Sequence, residues 1–187
     1  GQSAMGITGA WQSIDDIHSH MLNFLENHDE QRIASKFFAG NADKGKPALL
    51  VSALMNTNPF MVYFGQELGE QGMYSEGFSG QDGRTTIYDY WTIDLIRRWR
   101  NNNKFDGTLL SKEEKDIQAF YAKVLNICNS EKAIREGQFF DIMYVNYNEG
   151  MDEHRHYAFL RKSGKELILV VANFSDEPAR MWTKIPA

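Results

Sequence analysis

Apolar residues form two short runs in the first half of the chain, and each run ends abruptly. Met21–Leu25 is followed by the five polar residues Glu26–Glu30, and Phe60–Phe64 is followed by Gly65. Short apolar runs that stop at polar or glycine residues are typical of buried strands. The sequence therefore predicts one strand at each run.

Capping signals predict two helices that begin near a serine. Ser13 is followed three residues later by Asp16, which is the spacing of a capping box, and predicts a short helix from Ser13. Ser111 and Glu114 repeat this spacing. The predicted helix behind them presents a single apolar stripe, formed by Ile117, Phe120, Tyr121, Val124 and Cys128.

Two more helices are predicted around the second apolar run. Ile33 and Phe37 lie four residues apart before Gly40, so a helix is expected from about Glu30 to that glycine. Pro47 suits the first position of another helix. The apolar face of this helix is formed by Leu50, Ala53 and Leu54, and it is expected to end at Asn58-Pro59.

The pattern changes after Gly137, where helical signals give way to strands with a tight turn at Ser163-Gly164. Four strands are predicted, over residues 139–145, 157–161, 167–173 and 180–185. The order of elements predicts an α/β fold, with a parallel layer over residues 1–138 and a small antiparallel β domain over residues 139–187.

Composition excludes several classes of protein. The 187 residues are 42% hydrophobic and 13% aromatic, which is enough for a packed core, and the net charge is −5. This acidic balance, with no Lys/Arg cluster, argues against a nucleic-acid partner. No apolar run has the roughly 20 residues of a membrane-spanning helix. The single cysteine, Cys128, cannot form an internal disulfide and leaves the cellular compartment open.

The His28-Asp29 pair directly after the first predicted strand is the first candidate for chemistry. One interpretation is that Asp29 caps a following helix, which is common after a strand. The other is a catalytic role, because α/β barrels keep their active sites at the carboxyl ends of the strands. The residues alone leave both interpretations open.

Two motifs distinguish these interpretations. Phe24–Asp29 resembles the fourth signature region of the α-amylase family (glycoside hydrolase family thirteen), which ends in Asn-His-Asp on the seventh barrel strand. Pro59–Gly69 resembles the eighth strand with its Gly-x-Glu exit. The resemblance implies the last two strand-helix units of a (β/α)8 TIM barrel over residues 1–138. It also implies part of an antiparallel all-β C-terminal domain, an incomplete β-sandwich, over residues 139–187.

The resemblance also implies roles for individual residues. Asp29 matches the family's third catalytic-site carboxylate, which binds sugar hydroxyls, and His28 is expected to bind the same sugar. Arg32 is predicted to bind substrate or pair with a carboxylate of the site, although a plain helix-surface charge is equally compatible. Tyr88 and Trp91 are candidates for stacking on glucose rings or for core packing. Glu67, in the eighth-strand exit, is expected to be structural.

The motifs for the family's nucleophile and general acid do not occur in this sequence. We therefore expect a C-terminal fragment of a retaining enzyme that hydrolyses α-1,4 bonds in an α-glucan or maltooligosaccharide and is inactive alone. A transglucosylase, an isomerase, an α-1,6-glucosidase and a non-catalytic relative remain open within the same fold. A stand-alone carbohydrate-binding module explains the strand-helix half less well.

The sequence also leads to expectations about cofactors, metal ions and self-association. No cofactor is expected in this segment, whereas the resemblance allows for calcium in the full-length protein, at a site built mostly from segments that the sequence lacks. Asp152–His156 contains two histidines, but it reads better as a solvated loop than as a metal site, because no further ligand cluster is evident. Self-association is expected, since strands taken from a barrel have open edges.

Overall fold

The computed structural model of the chain describes residues 3–73, 82–88 and 93–186. The helices are α1 (Gly6–Gln12), α2 (Lys46–Leu54), α3 (Asp94–Arg100), α4 (Lys112–Ser130) and α5 (Lys132–Glu136). The strands are β1 (Asn23–Phe24), β2 (Phe60–Met61), β3 (Gln138–Asp141), β4 (His156–Ser163) and β5 (Glu166–Asn173). No helix within the described ranges is long and apolar enough to cross a bilayer.

The chain divides into two compact units. The first unit consists of Gly1–Asn23, Pro47–Phe60 and Val124–Ala187, and the second consists of Phe24–Lys46 and Met61–Lys123. The predicted boundary near Gln138 stays a prediction.

The two predicted strands of the first half are present but short. β1 pairs with β2 in a two-stranded sheet. The Asn23 N–H donates to the Pro59 carbonyl at 2.9 Å, and the Asn23 side-chain amide donates to the Ser52 carbonyl at the same distance. β1 covers only Asn23 and Phe24 of the predicted Met21–Leu25, because the chain comes from a 3₁₀ turn at His18–His20 and bends away at Leu25.

The helices with strong local signals are confirmed. α2 begins next to Pro47 as predicted. α4 begins with a reciprocal capping box, in which the Glu114 N–H donates to Ser111 Oγ at 3.2 Å and the Ser111 N–H donates to Glu114 Oε2 at 2.7 Å. The predicted apolar stripe is the buried face of this helix, since Ile117, Tyr121 and Val124 are each less than 5% exposed.

Two predicted helices are wrong. Ser13 ends a helix instead of starting one, because it is the C-cap of α1 and its hydroxyl donates to the Ala10 carbonyl at 2.7 Å. Residues 33–40 form turns, in which the Ser35 N–H donates to the Arg32 carbonyl and the Gly40 N–H donates to the Ser35 carbonyl. At the start of this segment, the Arg32 N–H donates to the Gly83 carbonyl and the Ile33 N–H donates to Glu26 Oε1, so neither forms a helical hydrogen bond.

The β-rich second half is confirmed for three of its four predicted strands. β3, β4 and β5 form an antiparallel sheet in that order, and β4 and β5 are joined by a tight turn in which Gly164 has a φ of +59°. β3 ends at Asp141, earlier than predicted. Residues 180–185 form no strand, because Lys184 exchanges two backbone hydrogen bonds with the Asn146 side-chain amide instead of with a neighbouring strand.

A buried arginine joins two helix ends in the first unit. Arg161, on β4, is 1% exposed. Its guanidinium donates to the carbonyls of Ala133, Ile134 and Gly137 around α5, and to that of Met55 after α2, at 2.5–3.1 Å. Carbonyls at the C-terminal end of a helix carry partial negative charge, so they are suitable partners for a buried cation. Burial lowers the pKa of Arg161.

Replacing this arginine should strongly destabilise the chain. Arg161→Met removes the cation and leaves four carbonyls without this donor, two of them in fully buried contacts, so we expect the free energy of unfolding to fall by about 3 kcal/mol. Urea denaturation followed by circular dichroism measures this change. Arg155→Met is the matched control, since the Arg155 side chain is 62% exposed. Equal stability of the two variants would contradict the role of Arg161.

Candidate functional site

The segment after β1 forms a turn that displays His28 and Asp29. The Asn27 side-chain oxygen accepts the N–H of Asp29 at 2.8 Å and that of Glu30 at 2.9 Å. An asparagine that bonds to backbone N–H groups two and three residues later fixes a local turn. Asn27 therefore sets the backbone direction at the two candidate residues.

The His28 and Asp29 side chains lie side by side in solvent. Nε2 of His28 is 3.5 Å from Oδ2 of Asp29, and the side chains are 52% and 76% exposed. At this distance the contact is weaker than a normal hydrogen bond. Both groups are therefore accessible to a ligand that offers hydroxyl groups.

A buried ion pair lies at the base of the turn. Glu26 is 2% exposed and Arg32 is completely buried. The Arg32 Nη1 donates to Glu26 Oε2 at 2.8 Å, and the Ile33 N–H donates to Glu26 Oε1 at 2.7 Å. Burial raises the pKa of Glu26, while the charge and hydrogen bond of Arg32 act in the opposite direction. Both carboxylate oxygens are thus bonded across the turn.

The remaining donors of Arg32 reach two other segments of the second unit. Nε donates to the Thr85 hydroxyl, and Nη2 donates to the Phe64 carbonyl at 2.8 Å. The guanidinium lies over the Tyr63 ring at 4.3 Å, and the Tyr63 hydroxyl donates to the Thr85 carbonyl at 3.0 Å. Burial raises the pKa of Tyr63. Arg32 therefore ties the turn to the segment after β2 and to residues 82–86.

Residues 82–86 pack directly against the segment after the turn. The Gly83 carbonyl accepts the Arg32 N–H at 2.8 Å, and the Asp82 carbonyl accepts the Gln31 side chain at 2.8 Å. Gly83 has a φ of +83°, and a Cβ atom there would lie 2.1 Å from the Ser35 hydroxyl. The position requires glycine both for its backbone conformation and for space.

A second ion pair lies on the surface of this packed segment. Arg84 donates to Oδ2 of Asp82 from Nε at 2.9 Å and from Nη2 at 2.6 Å. This pairing lowers the pKa of Asp82 and raises the pKa of Arg84, and the nearby charges of Asp29 and Glu30 add to the latter effect. Arg84 therefore contributes positive potential near Asp29.

The predicted site residues differ in burial: some are exposed to solvent, and Arg32 is buried. The structure brings His28 and Asp29 together at the surface. Arg32 is not the helix-surface charge that was one alternative, since it is buried and pairs with a carboxylate. Because Arg32 is completely buried and donates to three protein groups, it is poorly placed for direct sugar contact. Tyr88 is 72% exposed, whereas Trp91 lies outside the described residues.

Sequence reasoning assigned no role to Glu26, Tyr63 or Thr85. The sequence does indicate a role for Glu26, because it is the first polar residue after a buried strand and an arginine that could pair with it follows six residues later. Tyr63 and Thr85 gave none, since they meet Arg32 only through the folding of distant segments. Glu67 lies in the turn after Gly65, and burial raises its pKa.

The described residues offer no metal site. Within residues 3–73, 82–88 and 93–186, no three His, Cys, Asp or Glu side chains converge in a way that could hold an ion. In the Asp152–His156 loop, His154 hydrogen-bonds with the Ser3 hydroxyl, and Nδ1 of His156 accepts the Asp152 N–H. Calcium in a longer protein stays a prediction.

Comparison with known proteins identifies the class. The family model of the alpha amylase catalytic domain matches residues 7–165. The chain therefore belongs to the α-amylase family, and it forms part of a TIM-barrel catalytic domain. A cyclomaltodextrinase from a Bacillus species is 27% identical over 153 residues, which are 82% of this chain but 22% of the relative.

Solved structures share the fold at lower identity. A trehalulose synthase mutant in complex with Tris has a TM-score of 0.60 and 19% identity over 96% of this chain and 40% of its own. AmyP in complex with maltose has a TM-score of 0.59 and 14% identity over 93% and 35% of the two chains. This chain thus spans less than half the length of these relatives.

The buried ion pair gives the first test of the site. Glu26→Gln should lower the free energy of unfolding by about 3 kcal/mol, because it leaves the buried Arg32 charge without a counter-ion. Chemical denaturation measures the loss. Asp43→Asn is the matched control, since Asp43 pairs with Lys46 at 2.7 Å but is 61% exposed, and it should cost less than about 1 kcal/mol. Indistinguishable losses would refute the structural importance of the Glu26–Arg32 pair.

Proposed function

We propose that this chain supplies Asp29 to the active site of a retaining glycoside hydrolase that cleaves α-1,4 bonds in maltooligosaccharides and α-glucans. The observation that carries the proposal is the exposed His28-Asp29 turn, held from beneath by the buried Glu26–Arg32 pair. Membership of the α-amylase family supports the reaction class.

The chemistry defines what Asp29 contributes. In retaining glycosidases, one carboxylate attacks the anomeric carbon and a carboxylic acid about 5–5.5 Å away protonates the leaving oxygen. Asp29 acts as a third carboxylate, which accepts hydrogen bonds from sugar hydroxyls and favours the distorted, oxocarbenium-like ring. Contacts that strengthen as the ring distorts accelerate the reaction. His28, which is exposed beside Asp29, donates to the same sugar.

The buried residues act on this chemistry indirectly. Glu26 and Arg32 position the turn and do not touch the sugar, because neither residue is more than 2% exposed. We therefore propose a positioning role for Arg32 in place of the direct substrate binding predicted from the sequence. Tyr88 is exposed enough to stack against a glucose ring, and the same role is proposed for Trp91.

The rest of the active site belongs to the larger part of the protein. The chain spans 22% of the length of the cyclomaltodextrinase that it matches. We assign it the last two strand-helix units of the barrel and part of an antiparallel C-terminal β domain. Self-association through the edges of β1 and β2 belongs to this proposal, and the 43% exposure of Phe24 is consistent with it.

The substrate preference rests on the relatives. The cyclomaltodextrinase supports an α-glucan substrate. AmyP, solved with maltose, is 14% identical and supports the fold alone. Structural neighbours named trehalulose synthase and isomaltulose synthase keep an isomerase as the second candidate, but at 18–19% identity they support the fold alone. The presence of both His28 and Asp29 favours an enzyme over a non-catalytic relative.

In the full-length protein, Asp29→Asn should lower kcat on maltoheptaose by at least about a thousandfold, because a neutral amide cannot replace a charge-assisted acceptor in the transition state. Steady-state kinetics measures kcat, and thermal unfolding confirms that the fold is intact. Glu30→Gln, on the same turn, is the matched control and should keep most of the activity. A near-normal kcat for the Asp29 variant would rule out the proposed role.

The 187-residue chain alone should release no reducing sugar from maltoheptaose. Asp29 stabilises a transition state that the missing nucleophile and acid must create. Product analysis by chromatography after long incubation is the measurement, with the full-length enzyme as positive control. Turnover by the purified chain that is lost in Asp29→Ala would contradict the assignment of the nucleophile and acid to other segments.

A further inference from the structure

The short helix α1 in the first unit depends on its surroundings for stability. It has seven residues, and none of them is fully buried. Isolated helices need about 12–15 residues to be even marginally stable in water. Two of the seven are Gly6 and Gly9, and glycine is among the least favourable residues in a helix. Contacts with the rest of the first unit must therefore hold α1 in place.

One carboxylate of the sheet binds two side chains of α1. Oδ2 of Asp141, at the end of β3, accepts hydrogen bonds from the Thr8 hydroxyl at 2.6 Å and the Trp11 indole at 3.1 Å. The same oxygen accepts the Tyr157 hydroxyl at 2.8 Å, and Oδ1 accepts the Met143 N–H at 2.8 Å. All four donors are neutral groups, so the negative charge is held by hydrogen bonds alone.

The two N–H donors make this contact sensitive to protonation. An indole N–H and a backbone N–H can only donate, whereas a hydroxyl can also accept. One of these N–H groups faces each oxygen of Asp141, from Trp11 and from Met143. A proton on either oxygen would therefore oppose a donor. The contact is complete while the carboxyl is ionised, and it weakens as the pH falls and the carboxyl takes up a proton.

Other titratable groups of the sheet lie near Asp141, whereas α1 has no charged side chain. Burial raises the pKa of Tyr157, and the charge of Asp141 adds to this effect, so the hydroxyl stays a neutral donor. The Arg161 guanidinium is bound to four carbonyls. The remaining groups line an open cavity beside β3, and they are Lys162, Tyr144 and Tyr147. Asp141 is the one acid among these groups.

The segment before α1 has a separate attachment to the loop before β4. Ser3 Oγ lies 2.9 Å from Nδ1 of His154, and the Ala4 N–H donates to the His154 carbonyl at 2.9 Å. A serine hydroxyl can donate to a neutral imidazole or accept from a protonated one. This attachment therefore survives protonation of His154, and it can act as a hinge when α1 moves.

We propose that residues 3–12 form a strap that acid releases from the sheet, with Asp141 as its latch. While Asp141 is ionised, α1 lies against β3, and Trp11 meets Phe139 edge to face with ring centroids 5.2 Å apart. When the carboxyl is protonated, α1 detaches as a local unit and β3, β4 and β5 stay paired. Release opens the cavity of about 510 Å³ that α1 partly lines. The inference is independent of the role proposed for Asp29, which lies in the second unit.

Hydrogen–deuterium exchange of the full-length protein tests the latch, in peptides that cover residues 6–13 and, separately, β4 and β5. Between neutral pH and about pH 4, where carboxyl groups take up protons, protection of residues 6–13 should fall at least about tenfold after correction for intrinsic exchange. Protection of β4 and β5 should persist. Asp141→Asn should cause the same loss at neutral pH. Asp15→Asn is the matched control and should behave like the wild type, because Asp15 is 67% exposed.

Gly9→Ala tests the same equilibrium in the opposite direction. A Cβ atom at Gly9 would meet no atom within 4 Å, so alanine fits without displacing a neighbour. Alanine favours the helix over glycine by about fivefold in the equilibrium constant. The substitution should therefore raise protection of residues 6–13 by about this factor, and it should partly restore protection in the Asp141→Asn protein.

Two results would overturn the proposal. The first is wild-type protection of residues 6–13 that is the same at both pH values. The second is loss of protection in α1 and β4 together, which would show that the helix opens only when the sheet unfolds. If Asp141→Asn does not fold, Trp11→Phe carries the test, because it removes the indole donor and leaves the carboxylate unchanged. Protection of residues 6–13 should then fall while β4 and β5 stay protected.

Discussion

Glu26 and Arg32 lose almost all of their hydration when this chain folds, and their mutual contact must offset that cost. A buried ion pair is favourable only when the remaining lone pairs and N–H groups also find partners. Here the second carboxylate oxygen accepts the Ile33 N–H, and the guanidinium also bonds to Thr85 and to the Phe64 carbonyl. Three separate segments must therefore be in place before the charges are satisfied.

This requirement gives two neighbouring acids different roles. Glu26 and Asp29 are three residues apart, yet the first is 2% exposed and the side chain of the second is 76% exposed. The Asn27 amide lies between them and bonds to the N–H groups beyond it, which turns the chain from the interior to the surface. The buried acid is used for structure, and the exposed acid remains available for a substrate.

The elements that could be predicted from sequence are those whose stabilising contacts are local. The Ser111–Glu114 capping box and the hairpin at Gly164 are complete within a few residues, and both are present as predicted. The candidate site rests on a motif; the family match confirms the family, and the roles of His28 and Asp29 stay a proposal. The turn around Arg32 was mistaken for a helix because its partner, the Gly83 carbonyl, lies 51 residues away.

In the described part of the chain, the exposed Asp29 carboxylate has no buried partner, so its position is set by the backbone beneath it. Changes at Gly83 or Arg32 would therefore displace the carboxylate without removing any group that touches a sugar. Small displacements at a reacting centre are costly, because transition-state contacts depend on distance and alignment. Under the proposed function, Gly83 and Arg32 therefore act on the site through the backbone that they hold, and not through contact with the sugar.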